Sequence, residues 1–552
     1  MSRDAASDRQ LWWQKGAIYQ IYPRSFQDSG GDGVGDLRGI EQRLDHLEWL
    51  GVDAIWLSPI FPSPMADFGY DVADYCGIHE AFGTMRDFDR LLDACHGRGL
   101  KLLLDLVPNH SSSEHPWFAE SRSSRDSAKR DWYIWRDPKP DGGPPNNWLS
   151  VFGGSAWELD DATGQYYYHA FLKEQPDLNW RNAAVREAIY DVMRFWFDKG
   201  VDGFRIDVLW HLIKDEHLRD NPLNPDYREG DPPHHRLLPV YSTDQREIHD
   251  IAAEMRAVAD AYRARVLIGE IYLPIERLVA YYGHEGRGVH LPFNFQLLTL
   301  PWNAREIDRA INEYEAALPD EGWPNWVLGN HDKSRIASRV GPEQARVAAM
   351  LLLTLRGTPT IYYGDELGMP DVPVPPDRVQ DPQGLRLGAA FSRDPARTPM
   401  PWSAETNAGF TTGAPWLPLN GDFPRRNVDA QRGDPGSMLT LYRRLLSLRR
   451  ARPALAIGDY FPLPADGDAL AFVREHAGDR MLVALNLGGG AQSIDIEQRS
   501  GETVIATHAR LEGQRVAGRI DLGPNEAVLV DLDEPPAQPE KGSGPFSGRN
   551  GP

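Results

Sequence analysis

Between residues 17 and 450, short apolar runs alternate with longer amphipathic segments. This is how a parallel α/β domain reads, since its strands are covered on both faces while each connecting helix buries only one side. Eight runs read as strands: Ala17 to Pro23, Ala54 to Pro59, Lys101 to Val107, Gly203 to Val208, Val266 to Ile271, Leu291 to Gln296, Trp326 to Asp332 and Thr358 to Tyr363. The segments between them have helical periodicity, as in Ala183 to Lys199, where Val185, Ile189, Val192, Met193 and Trp196 recur at helical spacing. Eight such units predict an α/β fold, the (β/α)8 TIM barrel, with its site at the C-terminal mouth.

Two connections are too long for ordinary loops. The stretch after the third strand is rich in Trp, Tyr, Pro and Gly and reads as a small inserted domain B, residues 109–176. The second runs from about Leu209 to Thr243 and is expected to cover the mouth. This assigns residues 1–108 and 177–455 to the barrel, its last helix falling around Ser437 to Arg450. Alternating apolar positions then begin, as in Ala469-Leu-Ala-Phe-Val, and predict a C-terminal antiparallel β domain of sandwich type over residues 456–533. Residues 534–552 contain no large aliphatic side chain and read as a flexible tail.

Three strand-like runs end in acids: Asp207 in Gly203-Phe-Arg-Ile-Asp-Val208, Glu270 in Val266-Leu-Ile-Gly-Glu-Ile271, and Asp332 in Trp326-Val-Leu-Gly-Asn-His-Asp332. In a barrel these carboxylates converge on one site, with Asp207 as the candidate nucleophile. Arg205 precedes it by two residues on the same strand face, where it can keep Asp207 ionised and aimed. Structural ion pairs at strand ends are the alternative reading. A separate loop, Asp28-Ser-Gly-Gly-Asp-Gly-Val-Gly-Asp36, spaces its oxygens like the start of an EF-hand.

Composition narrows the partners. The net charge of −21, from 59 basic and 80 acidic residues, disfavours nucleic acid. The two cysteines, Cys76 and Cys95, exclude a disulfide scaffold and a multi-cysteine metal site. No apolar run approaches a membrane helix and the N-terminus lacks a signal-peptide core, so a cytoplasmic location is expected. The 17 tryptophans and 20 tyrosines suit a sugar-binding enzyme, although a large core also uses them.

Four ordered motifs, Asp105-Leu-Val-Pro-Asn-His110, Gly203-Phe-Arg-Ile-Asp207, Gly269-Glu-Ile-Tyr272 and Asn330-His-Asp332, with a fifth at Gln175-Pro-Asp-Leu-Asn179, resemble the signatures of the α-amylase family, glycoside hydrolase family 13. The resemblance spans nearly the whole chain and is close to the α-glucosidase and oligo-1,6-glucosidase branch. It implies that Asp207 is the nucleophile, Glu270 the acid/base and Asp332 the acid that holds sugar hydroxyls and favours the oxocarbenium-like transition state. It further implies that His110 and His331 bind the sugar in the −1 subsite, that Asp67 and Tyr70 close the glucose pocket, and that Arg397 pairs with the third acid. By the same resemblance Asp105 supports Arg205, Phe171 supplies an apolar wall and Phe152 lines the +1 side, core packing being the competing reading for both rings. Structural Ca²⁺ is expected at Asp28, Asp32, Asp36 and the Val34 carbonyl. Gly30 stands where many relatives have Asn, which removes one side-chain ligand.

The resemblance implies an exo-acting, retaining α-glucosidase that needs no organic cofactor and acts on short α-1,4- or α-1,6-glucosides. Val208, directly after the nucleophile, points toward α-1,6 bonds. A glucosyl transferase or a sucrose or maltose isomerase of the same family is the alternative. A non-catalytic relative conflicts with the three retained acids and the absence of a membrane helix.

Overall fold

A computed structural model describes residues 11–534, so all but the first residue of the expected tail 534–552 lies outside the described residues. Eight parallel strands form the barrel: β1 (Ile18–Ile21), β2 (Ala54–Leu57), β3 (Lys101–Leu106), β4 (Gly203–Ile206), β5 (Val266–Gly269), β6 (Leu291–Pro292), β7 (Asn325–Val327) and β8 (Thr358–Tyr362). They are hydrogen-bonded in the order β7-β8-β1-β2-β3-β4-β5-β6. A parallel bridge between Asn294 and Trp326 joins the two ends. The observed strands are shorter than the sequence suggests. β6 keeps only two of six expected residues: Pro292 has no N–H to donate, and from Gln296 the chain turns into a short helix, Gln296–Thr299.

Strand periodicity sorts side chains to the two faces. Ile18, Trp56, Leu103, Val266, Ile268, Leu291 and Val327 pack together inside the barrel, while Tyr19, Ile55, Leu102, Leu104, Phe204 and Ile206 join the core beneath the helices. The same alternation sends Gly203, Arg205 and Asp207 inward in ascending layers. A Cβ on Gly203 would lie 2.3 Å from the Val266 carbonyl oxygen, so the lowest of these positions admits only glycine. The helix Ala183–Lys199 forms over its expected range, capped by the Asn182 side chain and ended by Gly200 at φ +109°.

The insertion after β3 carries a three-stranded antiparallel sheet, Trp135–Arg136, Trp157–Asp160 and Gln165–Tyr168, packed around Trp148, Trp157 and Tyr168. Asp177 ties it to the barrel. Its carboxylate takes Lys214 at 2.5 Å, the Asn109 amide at 2.8 Å and the Ala170 N–H at 2.7 Å. The C-terminal strands form one six-stranded antiparallel sheet rather than two facing sheets. The strand Gln492–Ala506 pairs with both of its neighbours along different stretches and bends at two register shifts, so one sheet covers both sides of its own small core. Among the described residues no helix is long and apolar enough to cross a membrane.

Candidate active site

The ends of β3, β4 and β5 bring their acids to one cation. Arg205 is 1% exposed and its guanidinium reaches Asp105 at 2.7 Å, Asp207 at 2.7 Å and Glu270 at 2.6 Å. A planar fork suits this better than an ammonium would, because it holds several carboxylates at fixed angles. Beyond Asp207 the backbone enters the left-handed region at Val208, φ +36°. That conformation is disfavoured for a β-branched residue, and it is held here by the site. It aims the Val208 N–H at Glu270 Oε2, 2.8 Å away.

Burial raises the pKa of both Asp207 and Glu270, with Arg205 pulling each back and neighbouring carboxylates pushing each further up. Two buried carboxyls on one guanidinium repel each other, so the pair retains a proton where isolated carboxylic acids have lost theirs. Asp332 differs. Burial opposes its ionisation, but His331 where it is protonated, and Arg393 and Arg397 at every pH, hold it well below the usual carboxylate range. One group is held anionic beside a pair whose full ionisation is disfavoured.

Opposite the Glu270 side, one end of the cavity is closed by paired charges. Arg393 donates to Asp67 at 2.6 Å, to Asp381 at 2.6 Å and to Asp332 at 3.2 Å, and Arg397 donates to the same Asp332 oxygen at 3.0 Å. Tyr70 stacks on His331 with centroids 5.4 Å apart, and its hydroxyl lies 2.6 Å from His331 Nε2 and 3.1 Å from Asp105. His110 Nε2 lies 3.0 Å from the Tyr70 carbonyl oxygen. Burial lowers His110 to about 4 and His331 to about 3, so both imidazoles are neutral at neutral pH. Asp67 is pushed up to about 6 by burial, against the pull of Arg393.

These residues line a cavity of about 830 Å³, large enough for a disaccharide-sized ligand. The structure brings together there Asp207, Glu270, Asp332, Asp67, Tyr70, His110, His331, Phe171 and Phe152. Arg205 and Arg397 stand behind that lining and touch its acids. Phe171 sits 5.2 Å from His110 and 6.1 Å from Phe152, which makes a continuous apolar wall.

Sequence reasoning missed Arg393 and Asp381. Both belong to the loops after β8, which have no periodic signal. The one hint was the spacing of Arg393 and Arg397, one turn apart around the 3-10 turn Asp394–Ala396.

The Asp28–Asp36 loop does not present the expected calcium cage. Asp28 Oδ1 accepts the N–H groups of Gly30 and Gly31, and its Oδ2 accepts the Gly33 N–H and the Thr411 hydroxyl. Asp32 accepts the Val34 N–H, whereas Asp36 caps the helix Leu37–Gln42 and binds Ser29. The oxygens of Asp28, Asp32 and Asp36 thus serve local donors, and Val34 contributes its N–H to the same closure. As folded, both oxygens of Asp28 and one of Asp32 accept bonds from donors of the loop and its surroundings. Among the described residues no three His, Cys, Asp or Glu side chains are placed to hold one.

The α-amylase catalytic domain matches residues 20–458. A probable alpha-glucosidase of Rhizobium meliloti (strain 1021) is 42% identical over 88% of this chain and 91% of its own length. An oligo-1,6-glucosidase of Heyndrickxia coagulans is 40% identical over 88% and 93%. Among solved structures, the alpha-glucosyl transfer enzyme XgtA superposes with a TM-score of 0.90 at 41% identity, over 95% of this chain and all of that one. On its barrel, its ordered motifs and these relatives, the chain belongs to the α-amylase family and is a glycoside hydrolase of the α-glucosidase and oligo-1,6-glucosidase type.

Proposed function

We propose that the protein is an exo-acting, retaining α-glucosidase that releases glucose from the non-reducing end of short α-glucosides. The observation that carries this reading is the Arg205 bridge, which holds Asp207 and Glu270 side by side where burial and their mutual repulsion favour one shared proton. That is the protonation state retention needs: one carboxylate to attack and one carboxylic acid to donate.

In the first step the Asp207 carboxylate attacks the anomeric carbon while Glu270 protonates the departing glycosidic oxygen. In the second, Glu270 takes a proton from water, which attacks the same carbon and frees Asp207. Asp332, held anionic, fits hydrogen bonds to glucose hydroxyls that strengthen as the ring gains positive charge. The end closed by Asp67, Tyr70, Arg393 and Asp332 favours a single glucosyl unit over an open cleft. Val208 beside the nucleophile favours α-1,6 over α-1,4 bonds.

An acceptor hydroxyl could replace water in the second step. The relative that is an alpha-glucosyl transfer enzyme keeps this second reading in play. The nucleophile assignment is tested with 5-fluoro-α-glucosyl fluoride. A glucosyl adduct located by peptide mass spectrometry on Asp207 supports the mechanism. Adduct formation elsewhere, or none on an enzyme that is active toward 4-nitrophenyl α-glucoside, would sink it.

A further inference from the structure

The side of the cavity that would receive the leaving group carries a cation with no acidic partner. Lys333 directly follows Asp332, and its ammonium stands 5.5 Å from the centroid of Tyr272. Tyr272 lies two residues after Glu270, so this is the acid/base side of the cavity, away from the end closed by Asp67 and Arg393. The ring is fixed: it stacks on Phe295 at 4.2 Å, and the Asn330 amide reaches its hydroxyl at 3.4 Å. On the glucose side each guanidinium is matched by carboxylates. Lys333 forms no ion pair among the described residues. The acids beside it are engaged: Asp332 by Arg393 and Arg397, and Asp371 by the Ser334 hydroxyl and the Arg335 N–H.

The connection that covers the mouth adds two imidazoles to the same wall. His234 and His235 line the cavity with Lys333, their rings 4.4 Å apart at 69°. His234 Nδ1 is buried and has no hydrogen-bond partner among the described residues. Burial first, then the charges of His235 and Lys333, lower His234 to about 4, and burial with the Lys333 charge brings His235 down as well, against the pull of Asp231. At neutral pH they are neutral groups beside a single full charge. A neutral sugar hydroxyl can take a charge-assisted bond from an ammonium but brings no charge of its own to match it. An anion adds the attraction of opposite charges to that bond. In a chain of net charge −21, this local cation is not a product of overall composition.

We propose that this wall, Lys333 with His234 and His235, recognises an anionic group, a carboxylate or a phosphate, on the leaving group or acceptor. The proposal rests on the glucosidase reading and extends it to the substrate class.

The test compares substrates that differ only in that group. Maltobionate against maltitol reads a carboxylate on an open-chain leaving group, and sucrose phosphorylated on fructose C6 against sucrose reads a phosphate. At neutral pH and low salt, kcat/KM is expected to favour the charged member of at least one pair by about threefold to tenfold, and the larger ratio names the anion. Salt should shrink the ratio, Lys333→Met should bring it close to one, and Lys333→Arg should retain it. A wild-type ratio of one or less in both pairs, or a ratio that Lys333→Met does not change, would overturn the proposal. Absence of turnover on 4-nitrophenyl α-glucoside, maltitol and sucrose alike would instead remove the glucosidase reading on which it stands.

Discussion

Replacing Arg205 with Met should move the acid limb of the pH–rate profile. The guanidinium is buried and touches Asp105, Asp207 and Glu270 at 2.6–2.7 Å. A cation this close lowers a carboxyl pKa by about 1–3 units, so its loss should raise Asp207 by about that much. Attack needs ionised Asp207. The acid limb of kcat/KM should therefore shift upward by about 1–3 units, and below the new limb the rate should fall about tenfold per unit, or about 1.4 kcal/mol. Stability should also fall, by up to about 3–5 kcal/mol for a buried cluster left without its counter-charge. Its pH dependence has a definite sign. With folded-state pKa values raised above those of the unfolded chain, the folded variant binds more protons, so its stability should recover as pH falls. Arg205→Lys keeps the charge but not the fork and should lie between the two. The measurements are kcat/KM from pH 4 to 9 and urea unfolding at both ends of that range, with circular dichroism to check the fold. An acid limb that stays in place in folded Arg205→Met would refute the idea that this contact sets the ionisation of Asp207.

Three further substitutions or treatments probe separate parts of the account. Val208→Thr is nearly isosteric, and its hydroxyl should move the isomaltose-to-maltose ratio of kcat/KM toward maltose, by at most about 1–3 kcal/mol; an unchanged ratio would remove Val208 as a linkage determinant. Arg393→Leu leaves Asp67, Asp381 and Asp332 short of a counter-charge, so about 3–5 kcal/mol should be divided between a lower melting temperature and a higher KM; if neither changes, the closed end is not held by this residue. Chelation with EDTA, or millimolar calcium, should leave the melting temperature unchanged, because backbone N–H groups already hold both oxygens of Asp28 and one of Asp32 in the closed loop. A calcium-dependent rise would show that the loop releases those donors.

The parts of the site on strands were readable before the fold was known, because a strand's period of two fixes which residues share a face. Arg205 and Asp207 had to point the same way, and acids closing three apolar runs had to meet at one end of a barrel. Arg393 was not readable, since it lies in an irregular segment and meets its three acids only through tertiary packing. Val208 was placed in a strand, yet it bends into a conformation its branched side chain disfavours; local propensity loses there to the contact with Glu270. The Asp28–Asp36 loop shows the opposite case. Its alternating oxygens were visible, but the N–H groups that turn back to occupy them were not. β6 ran short at Pro292, and the C-terminal strands joined one sheet because bulges, which periodicity does not reveal, let a single long strand serve two neighbours.

The central claim is that Asp207 and Glu270 act as a retaining pair on α-glucosides. Proton NMR of maltose and isomaltose hydrolysis tests it most directly, by recording the anomer of the glucose first released before mutarotation. The account predicts early α-glucose from both sugars, with isomaltose the faster. Early β-glucose would contradict the retaining mechanism, and no glucose from either sugar would contradict the substrate class.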